Sequence, residues 1–151
     1  MALMIPLLVT LMFGSFELGH YFYNEHILVK SVRDAARFAG RQWALFSPEP
    51  CVPGIVTAAP APTIDNIARY GKPIVTDADK LRISTWTTSV VVTVSCPVLG
   101  SYAGIYKGKS NIPLVTVTAN NVTYPSLFKT LGFTSVGLKL NASSESAVMG
   151  I

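Results

Sequence analysis

Three hydrophobic patterns follow one another along the chain. Residues 2–16 read ALMIPLLVTLMFGSF and contain no charged side chain. From Tyr21 to Phe46, apolar or small residues recur at steps of three, four or seven, which is the period of a helix with one buried face. From about residue 81 onwards, β-branched residues partly alternate with polar ones, which favours strands. The pattern therefore predicts a long N-terminal helix followed by a small β-rich domain.

The helix is predicted to run from about residue 3 to about residue 45, because the apolar segment continues into the amphipathic one without a break. Prolines at 48, 50 and 53 end it. The expected apolar face consists of Tyr21, Leu28, Val32, Ala36, Ala39, Trp43 and Phe46. The expected charged face consists of Lys30, Arg33, Arg37 and Arg41, with Asp34 able to pair with Lys30 or Arg37.

The first half of this helix is predicted to lie in a membrane. A helix of this length measures about 60 Å, more than so small a domain can bury, so its first half needs lipid, partner helices or both. Residues 2–16 alone would span about 22 Å, whereas inclusion of residues 17–23 brings the span to about 33 Å, enough for a bilayer core of about 30 Å. Tyr21, Phe22 and Tyr23 would then form an interfacial aromatic belt. A cleaved signal peptide fits less well, since neither a basic start nor a small-x-small site is present.

Glu17 is the one acidic residue of this apolar segment. A charge at the centre of a membrane helix costs about 2.5–3.5 kcal/mol on insertion scales. Two interpretations stay open. Either Glu17 pairs inside an assembly, with an amine of a neighbouring subunit or with His20 of its own chain, or it lies at the membrane surface in contact with water.

The remainder of the chain is predicted to be β-rich, which makes the fold class α+β. Residues 1–46 form the transmembrane and assembly helix, residues 47–62 a proline-rich linker, and residues 63–151 an extracytoplasmic domain. Within that domain we expect short helices at 64–70 and 125–131, and strands at 87–96, 114–124 and 135–148. Three strands make a minimal antiparallel sheet, which needs a cover on its apolar face. The C-terminal half of the long helix is predicted to supply that cover.

Composition changes this picture little. The net charge is +4, but the Lys and Arg residues are scattered, so no nucleic-acid partner is expected. Cys51 and Cys96 are 45 residues apart and would pair in an oxidising compartment, or stay as buried thiols.

No phosphate loop, nucleophile elbow or zinc motif occurs, and His20 and His26 point to different helix faces. We therefore expect no catalytic residue, metal, cofactor or small-molecule substrate, and interpret Asp77 and Asp79 as turn residues.

The N-terminal residues resemble those of TadE-like and TadG-like pilus proteins. The resemblance covers about 40 residues and is carried by Ala2–Leu8 (ALMIPLL), Phe13–Gly19 (FGSFELG) and Ala35–Arg41 (AARFAGR). It implies a pilin-like protein that is processed by a prepilin peptidase and inserted in the bacterial inner membrane. It also implies assembly, with other pilin subunits and the assembly machinery, into or at the base of a tight-adherence (Flp) pilus.

Family members carry a short basic leader, a small residue at the cleavage point and a Glu before the apolar run. This chain has none of these before Ala2, so we expect Met1 to be an internal or artificial beginning.

The function predicted from this resemblance is that of a minor pilin. Helix packing is expected to involve Pro6, Gly14, Ser15, Glu17 and Gly19, because small residues four apart, such as Ser15 and Gly19, let two helix backbones approach closely. The alternative is a membrane-tethered binding module that never enters a filament and uses residues 102–109 for ligand contact.

Overall fold

The computed structural model describes residues 4–42, 56–58, 62–96, 107, 112–130, 132 and 137–148. Its longest element is helix α1, Met4–Arg41, whose 38 residues span about 57 Å. The predicted single long helix is thereby confirmed. It ends earlier than expected, in a turn closed by the Gln42 amide donating to the carbonyl of Ala39 at 3.0 Å. Trp43 and Phe46, predicted on its apolar face, lie outside the described residues.

The described residues beyond 42 form what we call the head. It contains strand β1 (Val56–Ala58), helix α2 (Pro62–Tyr70), strand β2 (Val91–Ser95), strand β3 (Leu114–Thr123), helix α3 (Leu127–Thr130) and strand β4 (Lys139–Ala147). Both short helices occur close to their predicted places. Gly71, with φ +80°, ends α2 as expected of a residue without a side chain.

The four strands form one antiparallel sheet in the order β1-β2-β3-β4. The α+β class is confirmed, but three strands were predicted. The additional one, β1, lies within the range 47–62 that was expected to be a linker, and pairs Val56 with Ser95 of β2. A three-residue strand carries too short an alternation to be recognised from its own sequence. The prediction for β2 was too long, because the chain between Gly71 and Val90 follows an irregular path.

Helix α1 covers the sheet with its C-terminal half, as predicted. Its buried positions alternate with exposed ones at helical spacing and pack against the inward face of β3 and β4. On the helix they include Leu28, Val32, Ala35, Ala36 and Ala39, and on the strands Val115, Val117, Ala119, Val122 and Leu140. Full burial of a Leu or Val side chain contributes about 1.5–3 kcal/mol, so this layer holds helix and sheet together.

Small residues allow α1 to approach β4 closely. A Cβ atom added at Gly40 would lie 2.8 Å from the carbonyl oxygen of Ala147 and 2.7 Å from Oγ of Ser146. No other residue type fits there without a shift of the helix or the strand. In the last strand, predicted at 135–148, Leu140 is buried, whereas Leu138 is exposed and precedes β4.

Asp34 has a different partner from those predicted. Instead of Lys30 or Arg37 on its own helix, Asp34 faces Arg82, whose Nη1 lies 3.4 Å from Asp34 Oδ2 and donates to Ser31 Oγ at 3.0 Å. Arg82 belongs to the irregular segment before β2, which packs on α1 beside α2. Tertiary packing thus supplies Arg82 as the partner of Asp34, in place of Lys30 or Arg37 on the same helix.

Candidate functional site: the exposed helix and its junction with the head

The N-terminal part of α1 projects away from the head. Every residue from Met4 to Phe16 is exposed, including nine large apolar side chains: Met4, Ile5, Leu7, Leu8, Val9, Leu11, Met12, Phe13 and Phe16. An 18-residue window of α1 has a mean hydropathy of 1.2 with none of its residues buried. Since Asn24 is the first buried residue of α1, this window lies within residues 4–23. The helix is therefore long and apolar enough to cross a membrane at this end.

The predicted helix-packing residues are distributed over this segment. Gly14 and Gly19 have nothing within 4 Å of an added Cβ. Ser15 donates from Oγ to the carbonyl of Met12 at 2.8 Å, which satisfies its hydroxyl within the helix. The carbonyl of Pro6 accepts a bond of 2.9 Å from Thr10 Oγ1. Four of the five residues are thus exposed, whereas Glu17 is partly buried and bonded to the head.

Glu17 is bonded to its own chain. Its Oε2 accepts a hydrogen bond of 3.1 Å from the backbone amide of Leu127, at the start of α3. The sequence led us to expect a neighbouring subunit, His20 or water, and a backbone amide 110 residues away was not among those alternatives. A carboxylate has two oxygens and room for several donors, so this bond leaves further acceptor capacity.

Tyr124 is the residue around which the junction is built, and sequence reasoning did not single it out. Its hydroxyl donates to the backbone carbonyl of Glu17 at 3.1 Å and lies 3.0 Å from Nδ1 of His20. Because the one phenolic proton is used toward Glu17, His20 must donate from Nδ1. The phenol ring also meets the ring of Tyr21 edge-on, with centroids 5.3 Å apart. The predicted aromatic belt is thus divided, since Tyr21 faces the head while Phe22 and Tyr23 are exposed.

Asn24 completes this polar cluster from one turn further along α1. Its Nδ2 donates to the carbonyl of His20 at 2.8 Å and lies against the His20 ring, 3.2 Å from Nε2 and 3.4 Å from Nδ1. Asn24 is buried, and these bonds satisfy a polar group that would otherwise be costly. His20 and Asn24 therefore serve as structural partners of Tyr124.

The surroundings of the Tyr124 hydroxyl change its pKa. Burial, and after it the negative charge of Glu17, raises the pKa of Tyr124 from 10.0 to about 12. Both causes act on the phenolate, which would lose its water and stand beside a carboxylate. The hydroxyl therefore keeps its proton, and the bond to the Glu17 carbonyl persists throughout the neutral range.

A β-bulge aims Tyr124 at the helix. Ala119 pairs with Ala142 and Val122 with Leu140, so β3 has one residue more than β4 between these pairs. Asn121 lies in this bulge with φ +57°, and its amide donates to Asn141 Oδ1 at 2.8 Å. Before the bulge the odd-numbered residues of β3 face α1, and after it the even-numbered ones do. The Asn pair at 120–121, inside an otherwise β-branched strand, was the available signal.

A second contact lies nearer the N-terminus of α1. The ring of Phe128 in α3 is 6.5 Å from the ring of Phe13, centroid to centroid, at an interplanar angle of 50°. Phe13 precedes Glu17 by about one helical turn, so α3 lies along the exposed part of α1 over this interval.

A basic row occupies the opposite face of α1. It consists of Lys30, Arg33, Arg37 and Arg41, all exposed, as predicted. Ser15 and Gly19 share this face, because the distance from Gly19 to Lys30 is three helical turns. No residue of the basic row forms a salt bridge with any part of the chain that the structure describes.

The remaining predicted residues lie elsewhere. Asp79 fixes a turn by accepting from the Thr76 amide at 3.0 Å and pairing with Lys72, whereas His26 is exposed on α1.

Cys96 is buried and disulfide-bonded, but Cys51 lies outside the described residues, so the Cys51–Cys96 pairing stays a prediction. Apart from Lys107, the loop 102–109 also lies outside them. Among the described residues no group of three His, Cys, Asp or Glu side chains could hold a metal.

An apolar helix end that projects from a small α+β head fits a protein anchored in a membrane by one N-terminal helix. A family model described as TadE-like protein matches residues 1–37, which is most of α1 and none of the head. The suspected resemblance of this segment is thereby confirmed. The comparison with curated proteins found no significant match, and neither did the comparison with solved structures. The match and the helix together indicate a membrane protein related to the tight-adherence pilus.

Proposed function

We propose that this protein is a minor pilin, a structural or assembly subunit of a bacterial tight-adherence pilus, without enzymatic activity. Its N-terminal helix is inserted in the inner membrane, and its head is extracytoplasmic. The observation that carries the proposal is the exposure of Met4–Phe16, an apolar segment that the head leaves uncovered and that matches the TadE-like family. So much apolar surface must be covered by lipid or by other helices.

Assembly would then exchange lipid for protein around α1. Apolar side chains gain little from this exchange, since lipid tails are as apolar as Leu, so close packing and hydrogen bonds must drive it. Ser15 and Gly19 provide the close approach on the face opposite the head. The basic row continues this face outside the membrane and offers charge to an acidic neighbour. A second copy of this chain would present the same positive row, so a different, acidic pilin subunit is the better partner.

Glu17 would couple the helix to the head during this exchange. The Leu127 amide satisfies part of its acceptor capacity within the chain, and an amine of a neighbouring subunit can use the rest. Removal of the carboxylate therefore weakens both the junction and the packing. Pro6 and Gly14 lie on the same segment and would affect how α1 bends and packs.

The test compares three variants in cells that assemble the pilus. Glu17→Leu is expected to abolish piliation while the protein still accumulates in the membrane. Glu17→Gln keeps an acceptor for the Leu127 amide and should retain the junction but lose the pairing with an amine. A Cβ atom added at Gly19 would have nothing within 4 Å among the described residues. Gly19→Leu should therefore leave the subunit folded and still block assembly.

Normal pili from Glu17→Leu and Gly19→Leu cells would contradict the proposal. They would favour the alternative, a membrane-tethered binding module that does not enter a filament. Leu7→Ala is the control, because Leu7 is 60% exposed in the subunit and lies on another face of α1 from Ser15 and Gly19.

A further inference from the structure

Helix α3 of the head lies beside the part of α1 that is suited to a membrane. The apolar window of 18 residues falls within residues 4–23, so every placement of it includes both Phe13 and Glu17. Both residues contact α3, through the Phe128 ring and the Leu127 amide. If this window of α1 crosses a bilayer, α3 must be in contact with lipid.

The side chains of α3 suit the boundary between hydrocarbon and headgroups. Leu127 is 38% exposed, Phe128 is half-buried and Lys129 is exposed. A lysine next to two large apolar residues can bury its stem in the apolar zone and direct its ammonium group to lipid phosphates.

The exposed aromatic residues of α1 give the depth independently. Phe22 and Tyr23 lie about 8 Å further from the membrane centre than Glu17 along the helix axis. The headgroup zone is roughly 5–8 Å thick on each side of the bilayer. With Glu17 and α3 at the inner edge of this zone, Phe22 and Tyr23 come to its outer edge, where aromatic residues are favoured. This depth places residues 17–23 in the headgroup zone, not in the hydrocarbon core as the length argument from the sequence expected, and Met4–Phe16 then spans about 20 Å of that core.

The basic row does not share this contact. Lys30 lies about 20 Å beyond Glu17 along α1, and Arg41 about 36 Å. Both distances exceed the screening length of about 8–10 Å at physiological salt, so lipid headgroups do not reach the row when α1 stands upright. Lipid therefore meets the head at α3, while the row stays accessible to another subunit.

We propose that α3, by way of Leu127, Phe128 and Lys129, is a second membrane contact, inserted among the phospholipid headgroups of the leaflet that faces the head. The proposal rests on the proposed function only in that α1 must cross a bilayer. Because the junction fixes the head to α1, contact of both α1 and α3 with lipid restrains the tilt of the whole subunit relative to the membrane.

The test is a depth measurement on the full chain in vesicles of phosphatidylethanolamine and phosphatidylglycerol. Leu127→Cys and, separately, Lys129→Cys are labelled with an environment-sensitive fluorophore without reductant, so that the disulfide of Cys96 is kept. Ile74→Cys is the matched control, an apolar residue of the head that is 79% exposed and lies near α2. Leu8→Cys reports insertion of α1 itself. Circular dichroism checks that each variant is folded.

Spin-labelled lipids of shallow depth should quench the label at 127 and 129 several times more strongly than the label at 74, with a blue-shifted emission at 127. Equal, weak quenching at 127, 129 and 74, while spin labels deep in the acyl chains quench the label at position 8, would overturn the proposal and leave the anchor intact. Absence of quenching at position 8 by the deep spin labels would overturn membrane insertion and, with it, both proposals.

Discussion

The phenolic hydroxyl of Tyr124 donates a hydrogen bond of 3.1 Å to the backbone carbonyl of Glu17, which lies 107 positions earlier in the chain. This bond ties the end of β3 to the middle of a helix at the level where the helix leaves the head. The carboxylate of the same Glu17 accepts from Leu127. One residue thus receives two bonds from the head, and the position of α1 relative to the sheet is fixed there.

Tyr124→Phe should destabilise the junction by about 0.5–1.5 kcal/mol, because the substitution leaves the ring packing but removes the hydroxyl that bonds the Glu17 carbonyl and the partly buried His20 nitrogen. The free energy of unfolding of the head, from urea titration in detergent, measures the effect. Tyr70→Phe is the control. Its hydroxyl bonds to none of the described residues, so a change within about 0.5 kcal/mol is expected. Equal effects of the two substitutions would show that the hydroxyl of Tyr124 contributes nothing.

Alkaline pH should weaken the same junction. The pKa of Tyr124 is raised from 10.0 to about 12 in the folded protein, so the folded state holds this proton more tightly than the unfolded state. The contribution is fully present below pH 10, and is lost as pH rises toward 12. Absorbance titration should find one tyrosine that ionises late in the native protein and is missing in Tyr124→Phe. If all tyrosines of the native protein ionised near pH 10, the expectation would be wrong.

Gly40→Ala should destabilise the protein by about 1–3 kcal/mol, the range found for overpacked cores. The added Cβ would lie 2.8 Å from the backbone carbonyl of Ala147, which cannot move without disturbing β4. Gly14→Ala adds the same atom where nothing lies within 4 Å, so no loss is expected. Thermal unfolding of both variants provides the comparison, and a Gly40→Ala protein as stable as the Gly14→Ala protein would contradict the close approach of α1 and β4.

Cys96 should be joined to Cys51, the only other cysteine of the sequence. Val56 of β1 lies opposite Ser95, which adjoins Cys96, and Cys51 precedes Val56 by five positions in the sequence. Peptide mapping without reductant should find one linked pair, and Cys51→Ala should cost about 2–4 kcal/mol of stability. Alkylation of both thiols in unreduced protein would exclude the bond.

Most of α1 and β3 could be predicted, because each has a local period that depends on its own residues. The alternation of Val115, Val117 and Ala119 indicated one buried face, and these three residues are buried. The short strand β1 could not be predicted in this way, since its pairing with β2 decides its structure. The ion pair of Asp34 with Arg82 could not be predicted either, because it depends on how α2 and the segment after it pack Arg82 against α1.

The candidate site shows the same division. Pro6, Gly14, Ser15 and Gly19 could be named from the apolar run in which they lie, and all four are exposed in the folded subunit; their role in helix packing stays a prediction. Glu17 could be recognised as an anomaly, but its partner could not. That partner is a backbone amide, which has no signature in a sequence.

The sequence by itself determined that a long helix would begin with an uncovered apolar segment, since hydrophobic period and length are properties of consecutive residues. Only the tertiary structure decided how the head is attached to that helix. The bulge at Asn121 turns Tyr124 toward Glu17 and His20, and α3 then lies beside Phe13. These contacts join residues more than 100 positions apart, and such pairs are set by the packing of whole elements rather than by any local pattern.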